Sequence, residues 1–349
     1  MERKVSRFAA LLIVMIMLVS WAVGCVAPKT PNGHGDEDRE DAIGQEDTDG
    51  INDEGEDKAD ANGEDEPEDD LTQDQEGLFP LEVVDSLGRS ITIEKMPEKV
   101  ISLAPNATET LFALGIGDRV IGVSQQCDYP EEAQTKDKMG DFWEPNIELI
   151  VEANPDILFV GNAAPEEFLD KMDESGITVL ALEGFDLEGT YGSIIDTGRA
   201  MGASQEAETL VKSMKDKAAD IRQKVDSAEE PQVYFVISYG EYGDFTAGGK
   251  SFIDELITMA GGKNIAGDTE EEWPQYSMEK LVEKDPEIVF STMQAQPDGI
   301  ADTPGYKELT AIKEGRLIVL DDNLINRAGP RLIEGLEDLA KGMHPDLFD

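Results

Sequence analysis

Apolar positions along residues 78–349 fall into two rhythms. Unbroken runs rich in β-branched residues, VISLA (100–104), RVIGVS (119–124), ILFV (157–160), residues 177–182, VYFVIS (233–238) and RLIVL (316–320), have the length and composition of buried strands. Between them lie segments that read as helices, such as TETLFALG, residues 166–175 and SFIDELITMAGG. Short strands alternating with helices predict parallel α/β units. Pro105 breaks the first strand, and Asn106 followed three residues later by Glu109 predicts a capping box at the head of the next helix. From about 190 to 228 the strand pattern disappears and one long helical region is expected, with a weak point at Gly202. The alternation then restarts. The expected architecture is two α/β lobes with parallel sheets, residues 78–189 and 229–349, joined by a connecting helix over 190–228, with a ligand cleft between the lobes.

One segment is said twice. EPNIELIVEANPDILFV (144–160) and WPQYSMEKLVEKDPEIVF (273–290) share an order: a capping Asn146 or Ser277, an acid two residues on, Asn154-Pro155 or Asp285-Pro286, then an apolar run. The equivalent acids are Glu148 and Glu279, 131 residues apart. The residue before proline avoids helical angles, so each copy predicts a short capped helix that stops abruptly and feeds a strand. An acid in the first turn offsets the helix dipole, which accounts for either copy by itself.

Charge separates the chain into regions. With 349 residues and 40% hydrophobic content it has material for sizeable cores. The net charge is −47, and residues 36–76 hold 21 acids against Arg39 and Lys58 with almost nothing apolar between them. Such a stretch cannot bury a core, so residues 25–77 are expected to form an acidic disordered linker. The acidic balance argues against nucleic acid as a partner. Ahead of it, Arg3, Lys4 and Arg7 precede FAALLIVMIMLVSWAVG, an export signal over residues 1–24 that ends at Cys25 with small residues before it. These small residues resemble a bacterial lipobox, so Cys25 is the expected lipidation site and the chain is expected outside the cytoplasm on a lipid anchor, with an uncleaved membrane anchor as the alternative. Cys127 then stands alone, and two histidines, His34 and His344, cannot build a histidine-rich metal site. GDFTAGGKS falls short of a phosphate loop because Asp244 occupies the first glycine position, and no nucleophile elbow or zinc-protease helix occurs. An enzyme in the cleft would have to use Cys127 beside Asp128, with no histidine partner.

Taken together, VISLAPNATETLFALGIGDRVIGVS, CDYPEEA, the first copy of the repeat, FTAGGKSFIDELITMAGGKNI, the second copy and NRAGPRLIEGLEDLA resemble the class III substrate-binding proteins of ABC importers for cobalamin, haem and ferric siderophores. The resemblance covers residues 79–345 and the cobalamin binders offer the nearest pattern. It implies a monomer that catalyses nothing and needs no cofactor or metal of its own. Such a protein captures a large ligand and delivers it to a permease dimer with its ATPase. It further implies that Phe142, Phe245 and Trp273 line the cleft, that Arg327 is a basic ligand contact, and that Asn106 and Asn323 face the crevice. Gln126 stands where the best-known cobalamin binders place a tyrosine, with Trp143 nearby as a substitute. Glu148 and Glu279 would be the permease-docking residues. Independently, Phe142, Trp143, Tyr239, Tyr242, Phe245, Trp273 and Tyr276 gather in connecting segments of both halves, and loops at strand ends carry binding function. That set favours a broad, flat, largely apolar ligand such as a corrinoid, with haem or a ferric siderophore as the alternative of the same class.

Overall fold

A computed structural model describes residues 78–348. The export signal, Cys25 and the acidic segment lie outside the described residues. The chain opens with an antiparallel hairpin, β1 (Leu81–Val84) and β2 (Ser90–Ile93). The first lobe then runs β3 (Val100–Ser102), α1 (Pro105–Ala113), β4 (Val120–Val123), β5 (Asp137–Lys138), α2 (Ile147–Ala153), β6 (Ile157–Val160), α3 (Glu166–Glu174) and β7 (Thr178–Ala181). Its strands form a parallel sheet in the order β5-β4-β3-β6-β7. Val100, Ile101, Ile157, Leu158 and Phe159 are shut off from water, which is why these strands read as unbroken apolar runs.

The capping box expected at α1 is not formed. The helix starts at Pro105, its N-cap is Ala104 without a side-chain bond, and Asn106 already lies inside the first turn. Proline suits this position because it has no N–H to be capped and its φ is preset for a helix. Asn106 and Glu109 are thereby released for other partners.

The connector, expected as a single helix, is two: α4 (Leu187–Met201) and α5 (Ser204–Val225). Gly202 caps α4 in the left-handed region at φ 70°, where a side chain would be strained. The chain doubles back, so that Lys215 in the middle of α5 pairs with Glu188 at the start of α4 (3.0 Å) and lies over the Tyr191 ring (4.7 Å). At 22 residues α5 runs roughly 33 Å, and it buries Ala207, Val211, Met214, Ala218, Ile221 and Val225 along one stripe.

The second lobe comprises β8 (Gln232–Ser238), β9 (Phe245–Thr246), α6 (Phe252–Met259), β10 (Lys263–Asn264), α7 (Met278–Lys284), β11 (Ile288–Thr292), α8 (Thr310–Lys313), β12 (Leu317–Leu320), α9 (Asp322–Ile325) and α10 (Leu332–Met343). Strands β10-β8-β11-β12 are parallel, and β9 pairs antiparallel with the end of β8. One apolar cluster continues through the whole body, joining Leu111 and Phe159 of the first lobe to Val211 of α5 and to Phe235, Phe290 and Leu336 of the second. Each lobe adds a smaller cluster on the other face of its sheet, around Ile150 and Met172 in one and around Tyr234 and Tyr306 in the other.

Candidate functional site

In the first lobe the expected ligand residues gather at the carboxyl ends of the strands. Gln126, just beyond β4, uses both halves of its amide: its Nε2 donates to Asp141 Oδ2, and its Oε1 accepts from the N–H of Phe142 at 2.9 Å. Asp141 Oδ1 accepts from the N–H of Trp143 at 2.9 Å, and a bridge between Gly140 and Pro145 closes the loop. Gln126 thus holds the aromatic loop in place. Phe142 and Trp143 meet edge to face, centroids 4.8 Å apart. The tip of the Phe142 ring rests on Gly161, immediately after β6, where a β-carbon would stand 2.9 Å from the ring. Glu183, two residues beyond β7, accepts from the N–H of Asn162 at 2.9 Å; burial pushes its carboxyl above the usual range, and that hydrogen bond opposes the rise. Asn106 is buried, and its Nδ2 donates to the carbonyl of Leu182 at 3.3 Å.

The second lobe repeats the device. Phe245 lies in β9 and bridges to Gln275, while the N–H of Tyr276 donates to the Asp244 carbonyl at 2.7 Å. Trp273 packs edge to face on Phe252 at 6.2 Å. Gly-Asp-Phe therefore occurs at 140–142 and again at 243–245, each time with the glycine at positive φ (100° and 87°). This second repeat escaped the sequence reading because its offset differs from the 131-residue one. Tyr242 ends a one-turn helix, Gly240–Tyr242, and its side chain lies outside the described set. Tyr276 does not join the cleft aromatics: it is 5% exposed, packs in the second lobe's own core, and donates its hydroxyl to the Ile265 carbonyl at 3.1 Å. Asn323 stands half-buried in α9, its N–H bonded to Asp321 Oδ1 at 2.8 Å.

A charge cluster joins the lobes. Arg331 binds both oxygens of Glu109, at 2.9 Å through Nε and 2.6 Å through Nη2. Arg327 Nη1 adds bonds to Glu109 Oε1 (2.9 Å) and Asp128 Oδ1 (2.7 Å), and Nη2 reaches the carbonyl of Gln126 at 3.4 Å. The Arg331 guanidinium also covers the Tyr129 ring at 3.8 Å. Side-chain exposure is 2% for Glu109, 15% for Arg327 and 14% for Arg331. Desolvation alone would lower the pKa of Arg327, but its bonds to Asp128 and Glu109 outweigh that and raise it. Arg327, expected as a ligand contact, lies at the boundary between the lobes with its charge already matched by two carboxylates. The sequence reading named neither Glu109 nor Arg331 as interlobe residues.

Cys127 does not have the surroundings of a nucleophile. Its thiol is buried, hydrogen-bonded to the hydroxyls of Thr108 (3.0 Å) and Ser124 (3.1 Å), and burial raises its pKa. Among the described residues no group of three or more His, Cys, Asp and Glu could hold a metal ion.

The twice-stated segment forms two matching helices. In α2 the Asn146 side chain accepts from the N–H of Leu149, in α7 the Ser277 side chain accepts from that of Lys280, and both end in left-handed caps, Asn154 (φ 47°) and Asp285 (φ 39°). Glu148 and Glu279 are exposed on their first turns. Each stands six residues after a ring of the aromatic loops, Phe142 or Trp273.

Two α/β lobes whose sheets bring their carboxyl ends, with aromatic loops, to a common boundary define a two-lobed solute-binding protein. Residues 100–324 match the family described as periplasmic binding protein, and the chain belongs to that family. It is an extracytoplasmic substrate-binding protein of an ABC importer and not an enzyme. The chain is 34% identical over 278 residues to the uncharacterized ABC transporter substrate-binding lipoprotein YvrC of Bacillus subtilis (strain 168), covering 78% of this chain and 88% of that protein. It is 29% identical over 354 aligned positions to a cobalamin-binding protein of Halobacterium salinarum, covering 97% and 85%. Among solved structures, the apo periplasmic heme-binding protein RhuT of Roseiflexus sp. RS-1 shares the fold with a TM-score of 0.65 at 27% identity, covering 72% of this chain and 99% of that one.

Proposed function

We propose that this chain captures a corrinoid outside the cytoplasm, held to the membrane by a lipid on Cys25, and delivers it to its permease through Glu148 and Glu279. The observation that carries the ligand assignment is the charge state of the cleft. Phe142, Trp143, Phe245 and Trp273 are half-buried rings, two in each lobe, while Arg327 is already committed to Glu109 and Asp128. A haem carries two propionates and many ferric siderophores are anionic, so each calls for a cation that this cleft has already neutralised. A flat macrocycle bearing neutral arms makes no such demand. Similarity to the halobacterial cobalamin-binding protein supports the same reading, and similarity to a lipoprotein supports the anchor.

Titration calorimetry with cyanocobalamin, haemin and a ferric hydroxamate tests the ligand. Cyanocobalamin is expected to bind, and Phe142→Ala and Trp273→Ala are each expected to weaken it by about 1 to 4 kcal/mol, the range of buried aromatic anchors. Tight binding of either iron ligand with none of cyanocobalamin overturns the corrinoid assignment.

A further inference from the structure

Strands β6 and β7 end side by side, and just beyond them lies a polar corner that the aromatic loop adjoins. Asn162 gives its backbone N–H to Glu183 Oε2, but its side-chain amide has nothing: Nδ2 and Oδ1 are both buried and neither has a hydrogen-bond partner. Buried polar atoms are almost always paired, so a carboxamide with a vacant donor side and a vacant acceptor side points to a partner supplied from outside. The corner adjoins the aromatic loop. Gly161, the residue before Asn162, carries the tip of the Phe142 ring, and a β-carbon there would stand 3.6 Å from Glu183 Oε2.

Resting on the corrinoid reading above, we propose that Asn162 and Glu183 form a subsite for one primary carboxamide arm of the corrin ring. The chemistry is reciprocal. The arm's carbonyl accepts from Asn162 Nδ2, one of its N–H groups donates to Asn162 Oδ1, and the other donates to the Glu183 carboxylate. The macrocycle lies on the aromatic loop, and the arm reaches the corner beside Gly161 once the Phe142 ring tip, which fills the space over that glycine, turns aside. A carboxylate arm fits this subsite badly. It has no donor for Asn162 Oδ1, and it sets a second negative charge against Glu183. The corner therefore reads the difference between an amide-bearing macrocycle and an acid-bearing one, which the flat aromatic surfaces alone cannot do.

The test uses the mature chain, cyanocobalamin and its monocarboxylic acid derivatives, each with a single propionamide hydrolysed, compared by calorimetry at neutral pH. One monoacid is expected to bind the wild type about tenfold or more weakly than cyanocobalamin, with the others near parity. Asn162→Leu is expected to weaken cyanocobalamin by a similar factor without weakening that monoacid further, and Glu183→Gln to recover part of the monoacid's affinity. Thermal melts of both variants establish that they are folded, and the comparison of ligands on the wild type needs no variant. Equal affinity for all monoacids, or unchanged cyanocobalamin binding by Asn162→Leu, overturns the subsite and leaves the corner to an internal water, with the corrinoid reading intact. Failure of the wild type to bind any corrinoid overturns that reading and the subsite together.

Discussion

Glu109 is the side chain on which the lobe boundary turns. It takes three hydrogen bonds from two guanidiniums of the other lobe and is almost wholly withdrawn from water. Glu109→Gln would leave those guanidiniums partly buried with one carboxylate, the half-exposed Asp128, for Arg327 and none for Arg331. The expected cost is about 3 to 5 kcal/mol in denaturant unfolding, the range for breaking a buried pair from one side. Asp128→Asn, whose side chain is 51% exposed, should cost at most about 1 kcal/mol. Equal effects of the two would show that burial does not set the strength of this cluster. The sequence signals around Glu109 were misleading for a physical reason. Asn106 and Glu109 have the spacing of a capping box, but Pro105 takes the first helical position and sets the N-cap at Ala104, so Asn106 is not where the box requires it, and the partners that take Glu109 instead lie 218 and 222 residues away. Local spacing carries no information about such a pair. Arg327 was placed at the cleft by family resemblance, whereas its neutralisation became visible only in the fold.

At the scale of elements, what was legible is what local chemistry decides. The strands announced themselves because both faces of each sheet are covered, and α2 and α7 because cap, acid and proline stop are all local signals. The connector was half legible: Gly202 marked the break, but only the packing of Gly198 on Ala207 shows the chain folding back instead of running on. The Gly-Asp-Phe turns were hidden because a three-residue identity acquires meaning only when both copies land at the ends of their sheets. The matched pair α2 and α7 carries the docking proposal. A helix dipole explains an acid at one helix start; it gives no reason for two exposed acids at equivalent places in two lobes. Paired carboxylates meeting basic residues on a dimeric permease would set register and encounter rate. Glu148→Arg combined with Glu279→Arg is therefore expected to leave folding and ligand affinity near wild type, to abolish ligand uptake in cells and to weaken binding to purified permease, with each single change intermediate. Normal uptake by the double variant would return both residues to a helix-capping role.

For the whole molecule, the continuous apolar cluster and the Glu109 pairs make the two lobes one body, so ligand capture is expected to involve rocking about the connector more than wide opening. The proposed anchor belongs to this scale as well. Cys25→Ser should leave the precursor uncleaved and abolish incorporation of labelled fatty acid, while processing and labelling that persist in the variant would exclude this cysteine. The likeness of α2 and α7 has a statistical meaning too. On the docking proposal, two matching helices, one in each lobe, would meet a permease built of two equivalent halves. Such a pair of surfaces can be seated in two orientations, doubling the number of productive encounters. In exchange, the pore beneath would have to admit the same cargo presented either way round.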